Sequence, residues 1–378
     1  MKIILCSYFK FPKGDAGAIR HEKFAYMLHE LNHEVLVVGL GAHCEFDIKD
    51  FNGVKYTSLR EKNRSIYGKI KSRCGYWERL KRLIENYKPD VIIMDDLRPI
   101  VTHDLKRYCA KKKIKLVHDS VEWYSPEQFK LGALDLACIN KNIVNRVLID
   151  KSMNVISISS YLHNYYTRKK IKSVQIPIVL AEKDYCEKKM IGAEVQFMYA
   201  GQPGKKDNLH MVIEAFYLLN QYEKKNCKLH IVGCTKEQVI SSGVSIKYIE
   251  KLGEQLQFYG RIPHEKVLEM LVIMDFTLLM RSPELRYAKA GFPTKVAESL
   301  SRSTPVISNI TSDLALYLID GYNALVVEEY SVNSLKKALE RSLKLDVNKR
   351  AVLCKNALHV AKNKLDYKHF IDQLKNVL

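Results

Sequence analysis

The sequence predicts an α/β protein of two Rossmann-like domains facing each other across a cleft, and three observations carry that prediction. A short apolar run, a glycine-bearing loop, a helical stretch and a second apolar run follow in order over residues 1–41, which is a βαβ unit. The alternation recurs along the chain, and its strands read as continuous apolar runs, as strands buried on both faces of a parallel sheet must. It loosens once, over 173–193, where Pro177, a cluster of charges and Gly192 mark a linker, and then resumes. At 378 residues, 47% hydrophobic and 27% charged, the chain exceeds one ordinary domain and can bury two cores. The predicted division is 1–180, 181–360, and a terminal helix over 361–378 that crosses back to the first domain.

In order, "KIILCSY" is the first strand and "FKFPKGDAGAIRH" a loop with Pro12, Gly14 and Gly17. "EKFAYMLHELNH" follows as a helix with Phe24, Met27, Leu28 and Leu31 on one face, and "EVLVVGLG" is the second strand. "DVIIMDD", "IKLVHD" and "NVISISS" continue the first domain. After the linker come the strand "VQFMYAG", the helix "NLHMVIEAFYLLNQY" and the strands "CKLHIVG", "LQFYGRI", "FTLLMR", "TPVISN" and "NALVVEE". The N-terminal run lacks a small-residue cleavage site, so a strand is a better reading than a signal peptide. No run reaches the roughly 18 apolar residues of a membrane span. "LVIMDFTLLM" is too short and contains Asp275.

Nine cysteines, odd in number, scattered and without C-x-x-C spacing, argue against a disulfide framework or a zinc site and for a reducing, cytoplasmic setting. No metal ligand set is predicted. The formal net charge of +19 favours anionic partners. A specific nucleic-acid module is not recognisable, so charge alone does not assign that partner. Over 65–84, Ile66, Ile70, Cys74, Trp77, Leu80 and Ile84 fall on one helical face rimmed by lysines and arginines. That pattern fits a helix lying on an anionic membrane surface, and equally a core-facing helix with a solvated rim.

Ligands of such sheets sit beyond the carboxyl ends of the strands, so the loops there hold the candidate residues. The 14–18 loop, with Gly14 and Gly17, lets amides approach a ligand ahead of a helix N-terminus, although an ordinary βα turn reads the same way. His118 and Asp119 end the strand "IKLVHD" and form a titratable pair placed to meet a reacting centre; a structural histidine fits the same position. Glu122, Trp123 and Tyr124 follow as acceptor-side candidates or as core caps. In "MYAGQPGKKDNL", the turn at Gly201 and Gln202 and the lysines up to Lys206 put amides and cations together, which suits a phosphate. "FYGRIPHEKV" offers another turn at Arg261 and Ile262. "AGFPTKVAESLSRSTPVIS" places Gly291, Phe292, Pro293 and Thr294 ahead of a helix that carries Glu298 about one turn in. A carboxylate there can accept two hydroxyl hydrogen bonds, as a ribose diol offers.

In their order along nearly the whole chain, these last three motifs resemble the large retaining glycosyltransferases of the GT-B fold, group 1 or family four, among them bacterial surface-polysaccharide assembly enzymes. The resemblance implies transfer of a hexosyl group from a nucleotide-diphosphate sugar, UDP-sugar favoured over GDP-sugar, to a glycan or lipid-linked acceptor. It implies no metal or other cofactor for catalysis. Glu298 matches the family's ribose-binding Glu, Lys206 the diphosphate Lys, and His118 a donor-contacting histidine. Arg261 and Ile262 sit where the family holds the base, and the 14–18 loop matches its glycine loop facing the diphosphate and acceptor.

Two positions depart from the pattern. The first Glu of the Glu-x7-Glu signature falls on Ala290, and Gln202 stands where many members carry Arg. Backbone amides around Gly291 and Phe292 are one replacement for the first; Arg281, Arg286, Lys289 and Lys295 are all candidates for the second. The departures keep a second reading open, a non-catalytic GT-B subunit that supports an active partner. The expected workplace is cytoplasmic, peripheral on the inner face of the membrane.

Overall fold

Among the described residues, eight strands form the first sheet: β1 (Lys2–Lys10), β2 (Glu34–Leu40), β3 (Lys49–Phe51), β4 (Val54–Ser58), β5 (Val91–Met94), β6 (Lys115–Ser120), β7 (Asn154–Ser157) and β8 (Ser173–Gln175). Their order is β3-β4-β2-β1-β5-β6-β7-β8, with every pairing parallel except the β3–β4 hairpin. The second sheet holds β9 (Val195–Ala200), β10 (Cys227–Val232), β11 (Leu256–Phe258), β12 (Phe276–Leu279), β13 (Val306–Asn309) and β14 (Ala324–Val327). It is wholly parallel, in the order β11-β10-β9-β12-β13-β14. These features come from a computed structural model that describes residues 1–12, 16–40, 46–59, 75–95, 97–188, 192–202 and 206–378. Gly14 and residues 65–74 of the basic segment lie outside the described residues.

Strand order reverses between β1 and β5 in the first sheet and between β9 and β12 in the second. At such a switch point the flanking loops diverge and leave room for a ligand beyond the strand ends. The chain divides into one unit of Met1–Val179 with Tyr367–Leu378, and another of Leu180–Asp366. In the first, Leu374 and Val377 from the last residues are fully buried in the core with Ile3, Leu5, Phe24 and Val37. Asn154 donates to the Val377 carbonyl at 2.8 Å, which fixes that segment beside β7.

The second core is built on a Phe197 ring flanked by Phe216 at 5.2 Å and Phe276 at 5.8 Å. Burying each such side chain contributes about 1.5–3 kcal/mol. Asp275, the acid inside "LVIMDFTLLM", is buried against Arg350, Oδ1 to Nη1 at 2.8 Å, and accepts the Gln196 amide through its other oxygen. Arg350 also donates to the Gly192 carbonyl at 2.6 Å, so the pair closes the entry to β9 on both sides.

Several expectations need correction. The first helix runs Ala16–Glu30, so Gly17 is its second residue and not part of a loop. The extra turn is helical because Arg20 and His21 face inward, Arg20 having a carboxylate waiting for it. β8 takes up the first three residues of the stretch expected as a linker, and the two units part within that stretch, between Val179 and Leu180. The described part of the basic segment belongs to the helix Tyr76–Tyr87, which buries Leu80 and Ile84, while Trp77 packs edge-on against Tyr108 at 5.9 Å. Of that face, the described Leu80 and Ile84 are turned to the core. No helix among the described residues is long and apolar enough to cross a membrane.

Candidate functional site

In the second unit the switch point is lined by three glycine turns and a buried charge cluster. Gly201 follows β9, Gly233 follows β10 and Gly260 lies beyond β11; the Gly201 amide donates to the Val232 carbonyl at 2.8 Å and the Gly233 amide to the Gly260 carbonyl at 2.7 Å. A Cβ built on Gly233 (φ +103°) would lie 2.5 Å from the Gly201 carbonyl oxygen, so only glycine lets these turns stack. A Cβ on Gly201 would meet the Lys295 ammonium at 2.6 Å. The lysine therefore lies directly over the turn.

Lys295 is the second residue of the helix Thr294–Ser301 and bonds Asp207, which also accepts from Arg281 Nε at 2.9 Å. Arg281 follows β12 and is held by a reciprocal lock: Asn309 accepts its amide at 3.0 Å and donates to its carbonyl at 2.8 Å. Burial raises the Asp207 carboxyl, but Lys295 and then Arg281 outweigh it and hold it well below the usual carboxylate range. Burial likewise lowers the Lys295 ammonium, with Asp207 opposing. Two cations against one carboxylate leave one net positive charge beside the Gly201 turn. Of the four cations the sequence left open, these contacts bring Arg281 and Lys295 to it.

Glu298 lies one turn further along the same helix, its Oε1 2.9 Å from His264 Nε2. His264 opens the helix His264–Leu271 directly after Arg261, Ile262 and Pro263, so this pair draws the GRIP turn to Glu298. The bond to Glu298 raises the His264 imidazole above its ordinary value, with burial opposing. Arg261, Gln202 and Lys206 are exposed. The Lys206 carbonyl accepts from the Tyr287 hydroxyl at 2.7 Å. Ahead of the Glu298 helix, Gly291, Phe292 and Pro293 are buried, Phe292 edge-on to Tyr317 at 5.2 Å. The Gly291 amide, expected to serve a ligand, already donates to the Tyr287 carbonyl at 3.1 Å. Pro293 caps the helix and Thr294 is its first residue; Ala290 is fully buried.

In the first unit, His118 on β6 is 1% exposed. Burial and then the Lys141 ammonium push its imidazole down to about 3, so it is neutral near pH 7; the Met94 backbone and Asn145 are its polar neighbours. Neither ring nitrogen has a partner in good hydrogen-bond geometry among the described residues. Asp119 is fully buried and forms a two-pronged ion pair with Arg20, at 2.7 and 2.8 Å. Arg20 spends its other N–H groups on the carbonyls of Pro177 and Ile176. Asp119 thus ties the first helix to the sheet instead of offering an open carboxylate. Trp123 is also buried, donating to Asn142 at 2.8 Å and packing on Tyr165 at 4.7 Å. Glu122 and Tyr124 are half-buried.

A grouping the sequence did not reveal joins His21, Asp95 and Asp119, whose ligating atoms lie within 4.8 Å of one another. Arg20 already engages both Asp119 oxygens, so the chemistry of the set is that of an ion-pair centre. These residues are far apart in sequence, and only the order of β1, β5 and β6 brings them together.

Residues 186–360 match the family of glycosyl transferases group 1. Among curated proteins no match was found. Solved structures similar to the chain include sucrose-phosphate synthase from Thermosynechococcus elongatus, at 16% identity over 100% of this chain and 98% of that one, with a TM-score of 0.77. WaaG, a glycosyltransferase involved in lipopolysaccharide biosynthesis, matches at 16% identity over 99% of both chains, with a TM-score of 0.69. Anabaena HepE in complex with UDP and glucose matches at 14% identity over 99% of this chain and 98% of that one, also with a TM-score of 0.69. At these identities the likeness is one of fold. Residues 186–360 thus resemble the glycosyl transferases group 1, and the chain has the GT-B fold, with two parallel-sheet units.

Proposed function

We propose that the chain is a retaining glycosyltransferase that moves a hexosyl group from a nucleotide-diphosphate sugar, a UDP-sugar before a GDP-sugar, to a glycan or lipid-linked acceptor in surface polysaccharide assembly. The observation that carries this reading is the pair of cations on one carboxylate, Arg281 and Lys295 on Asp207, with Glu298 one helical turn beyond Lys295. A net positive charge at a strand switch point suits a diphosphate, and a carboxylate one turn away suits the two hydroxyls of a ribose. Anabaena HepE, solved with UDP and glucose, supports the choice of base, and WaaG supports the polysaccharide role.

When the bond from the sugar C1 to the diphosphate oxygen breaks, negative charge grows on the departing diphosphate. In this reading Arg281, Lys295 and Lys206 oppose that charge, helped by the first amides of the helix Thr294–Ser301, which lack intrahelical acceptors. Gly201 and Gln202 border the diphosphate, Phe292, Pro293 and Thr294 the donor sugar, and Arg261 and Ile262 the base. The neutral imidazole of His118 orients the donor. Its unsatisfied ring nitrogens support this, because an orphaned buried polar group costs about 1–3 kcal/mol unless a ligand takes it. Attack from the face that the diphosphate leaves gives retention.

Calorimetric titration with UDP, GDP and ADP tests the reading. One nucleotide binds the wild type and loses at least about tenfold in affinity in Glu298→Ala, from two lost hydroxyl contacts. Binding of none of them would sink it. Gln202 and Ala290 favour a second reading, a nucleotide-binding subunit without turnover; release of labelled sugar from a UDP-sugar by the chain alone would dismiss it. The workplace we propose is an anionic membrane surface carrying the acceptor, supported by the net charge of +19. Failure to cosediment with anionic vesicles at low salt would remove that part.

A further inference from the structure

Glu298, the carboxylate assigned above to the ribose, is held by a residue that this assignment leaves without a role. His264 Nε2 lies 2.9 Å from Glu298 Oε1. A carboxylate accepts and does not donate, so the hydrogen between them belongs to the imidazole. Among the described residues, His264 is the one hydrogen-bond partner of the Glu298 carboxylate. Of the other charges that bear on the ring, Glu265 and Arg302 act in opposite directions, which leaves Glu298 as its partner.

Stability does not account for the pair. The His264 side chain is 44% exposed and that of Glu298 20%, and an ion pair this open to water contributes little to folding. What the bond fixes is direction. A glutamate turns about several bonds, and a ligand that must order it on binding loses affinity to that entropy. A cavity of about 20 Å3, room for one water, is lined by Val267 and Leu271 of the helix His264–Leu271 and by Val296, Glu298 and Ser299 of the helix Thr294–Ser301. Packing is slack there, so the bond to His264, more than contact, sets where the carboxylate lies. Both partners stand on anchored elements. Lys295 ties the start of the Glu298 helix to Asp207. The turn ahead of His264 has its own anchor in the Gly233 amide, which donates to the Gly260 carbonyl at 2.7 Å.

We propose that His264 is a positioning residue for ribose recognition: it fixes the Glu298 carboxylate so that the site selects a nucleotide with a free 2′-hydroxyl over its 2′-deoxy form. The inference rests on the reading of Glu298 as the ribose contact. A hydroxyl bonds a carboxylate strongly only within a narrow range of distance and angle. With His264 removed, the base and the diphosphate still bind, because the turn keeps its Gly233 anchor and the cations keep Asp207. The two sugars are then told apart less well.

The test is calorimetric titration of the full chain with UDP, GDP and ADP and with their 2′-deoxy counterparts, on the wild type, His264→Leu and His264→Gln. The Gln amide nitrogen stands as many bonds from its Cα as the imidazole Nε2 does, so it replaces the donor without the ring. The wild type should bind its preferred ribonucleotide at least about tenfold more tightly than the deoxy form, through one hydrogen bond to a charged group. In His264→Leu that ratio should fall below about threefold while the deoxy form binds within about twofold of wild type, and His264→Gln should restore most of the ratio. A pair that merely joined two helices would shift Tm and leave the ratio alone. The partial exposure of the ring lets both variants keep the fold, which a melting curve verifies. No preference for the ribonucleotide in the wild type, an unchanged ratio in His264→Leu, equal weakening of both sugars, or no recovery in His264→Gln overturns the proposal and leaves the donor reading standing. Binding of none of the nucleotides to the wild type overturns the donor reading, and this inference with it.

Discussion

Replacing Lys295 with methionine isolates the diphosphate contact. The side chain keeps its length and its packing over the Gly201 turn but loses the charge. Asp207 retains Arg281 at 2.9 Å, so no buried carboxylate is orphaned and the fold should persist. The local charge falls from one net positive to zero. A phosphate about 4 Å from the ammonium would be attracted by about 4 kcal/mol at an effective dielectric of about 20, which is a ceiling because Lys295 is already shared with Asp207. A hydrogen bond to a charged group contributes about 1.5–3 kcal/mol, so about 2 kcal/mol is expected, or roughly 30-fold in Kd. The assay is paired calorimetry with UDP and with uridine, which carries the base and ribose but no phosphate. UDP should weaken about 30-fold in Lys295→Met, uridine by less than about twofold, and Lys295→Arg should recover most of the loss. Equal weakening of uridine and UDP, or no weakening of UDP, would refute the assignment of Lys295 to the diphosphate.

Two further outcomes follow from the same geometry. Gly201→Ala drives a methyl to 2.6 Å from the Lys295 ammonium, the mobile end of a flexible chain, so UDP affinity should drop with little change in Tm. Gly233→Ala meets backbone at 2.5 Å with φ +103° and should lower Tm instead; a similar pair of melting curves for both would contradict the stacking of the turns. The second outcome concerns acid. Burial holds the imidazoles of His118 and His21 down to about 3, while an unfolded chain takes up the proton near 6.5. Because the folded value is the lower one, the unfolded state binds more protons below pH 6.5, and stability falls as pH drops from there towards 3. Each histidine should cost about 2 kcal/mol by pH 5. Both tryptophans, Trp77 and Trp123, lie in the unit that holds these histidines, so urea melts followed by their fluorescence report it directly. His118→Asn should flatten the dependence between pH 7 and pH 5, and an unchanged slope would mean the ring is open to protons.

The parallel strands were legible in the sequence because burial on both faces leaves an uninterrupted apolar run, as in β1, β5, β9 and β12. The β3–β4 hairpin and β8 were not, since β3 and β8 are three residues each and mostly half-exposed. The first helix was read one turn late for a different reason. Its opening turn buries Arg20, whose partner Asp119 is 99 residues away, so the inward face looked polar. A hydrophobic pattern cannot register a residue that is buried by a distant charge. Glu298 was legible because its helix start is local: Pro293, then Thr294, then a carboxylate one turn in. The choice among Arg281, Arg286, Lys289 and Lys295 was not, because it depends on contacts to Asp207 across 74 and 88 residues.

Those contacts also connect the two departures from the family pattern on the proposed reading. A Gln at 202 removes a cation from the loop after β9, and the loss is tolerable only if another cation reaches the same space. Lys295 does so because Gly201 has no side chain to obstruct it, and because Asp207 draws its ammonium inward. Ala290, in the same stretch, is fully buried just ahead of Lys295; a glutamate there would bring a second carboxylate towards a cluster whose excess is a single positive charge. Neutralising that charge would undo the phosphate site that Lys295 restores. The exchange can be tested as a unit. Ala290→Glu alone should weaken UDP, and Gln202→Arg added to it should recover the binding by returning a cation. If Ala290→Glu leaves UDP affinity unchanged while the protein stays folded, the two positions are independent and the charge balance around Asp207 does not set donor binding.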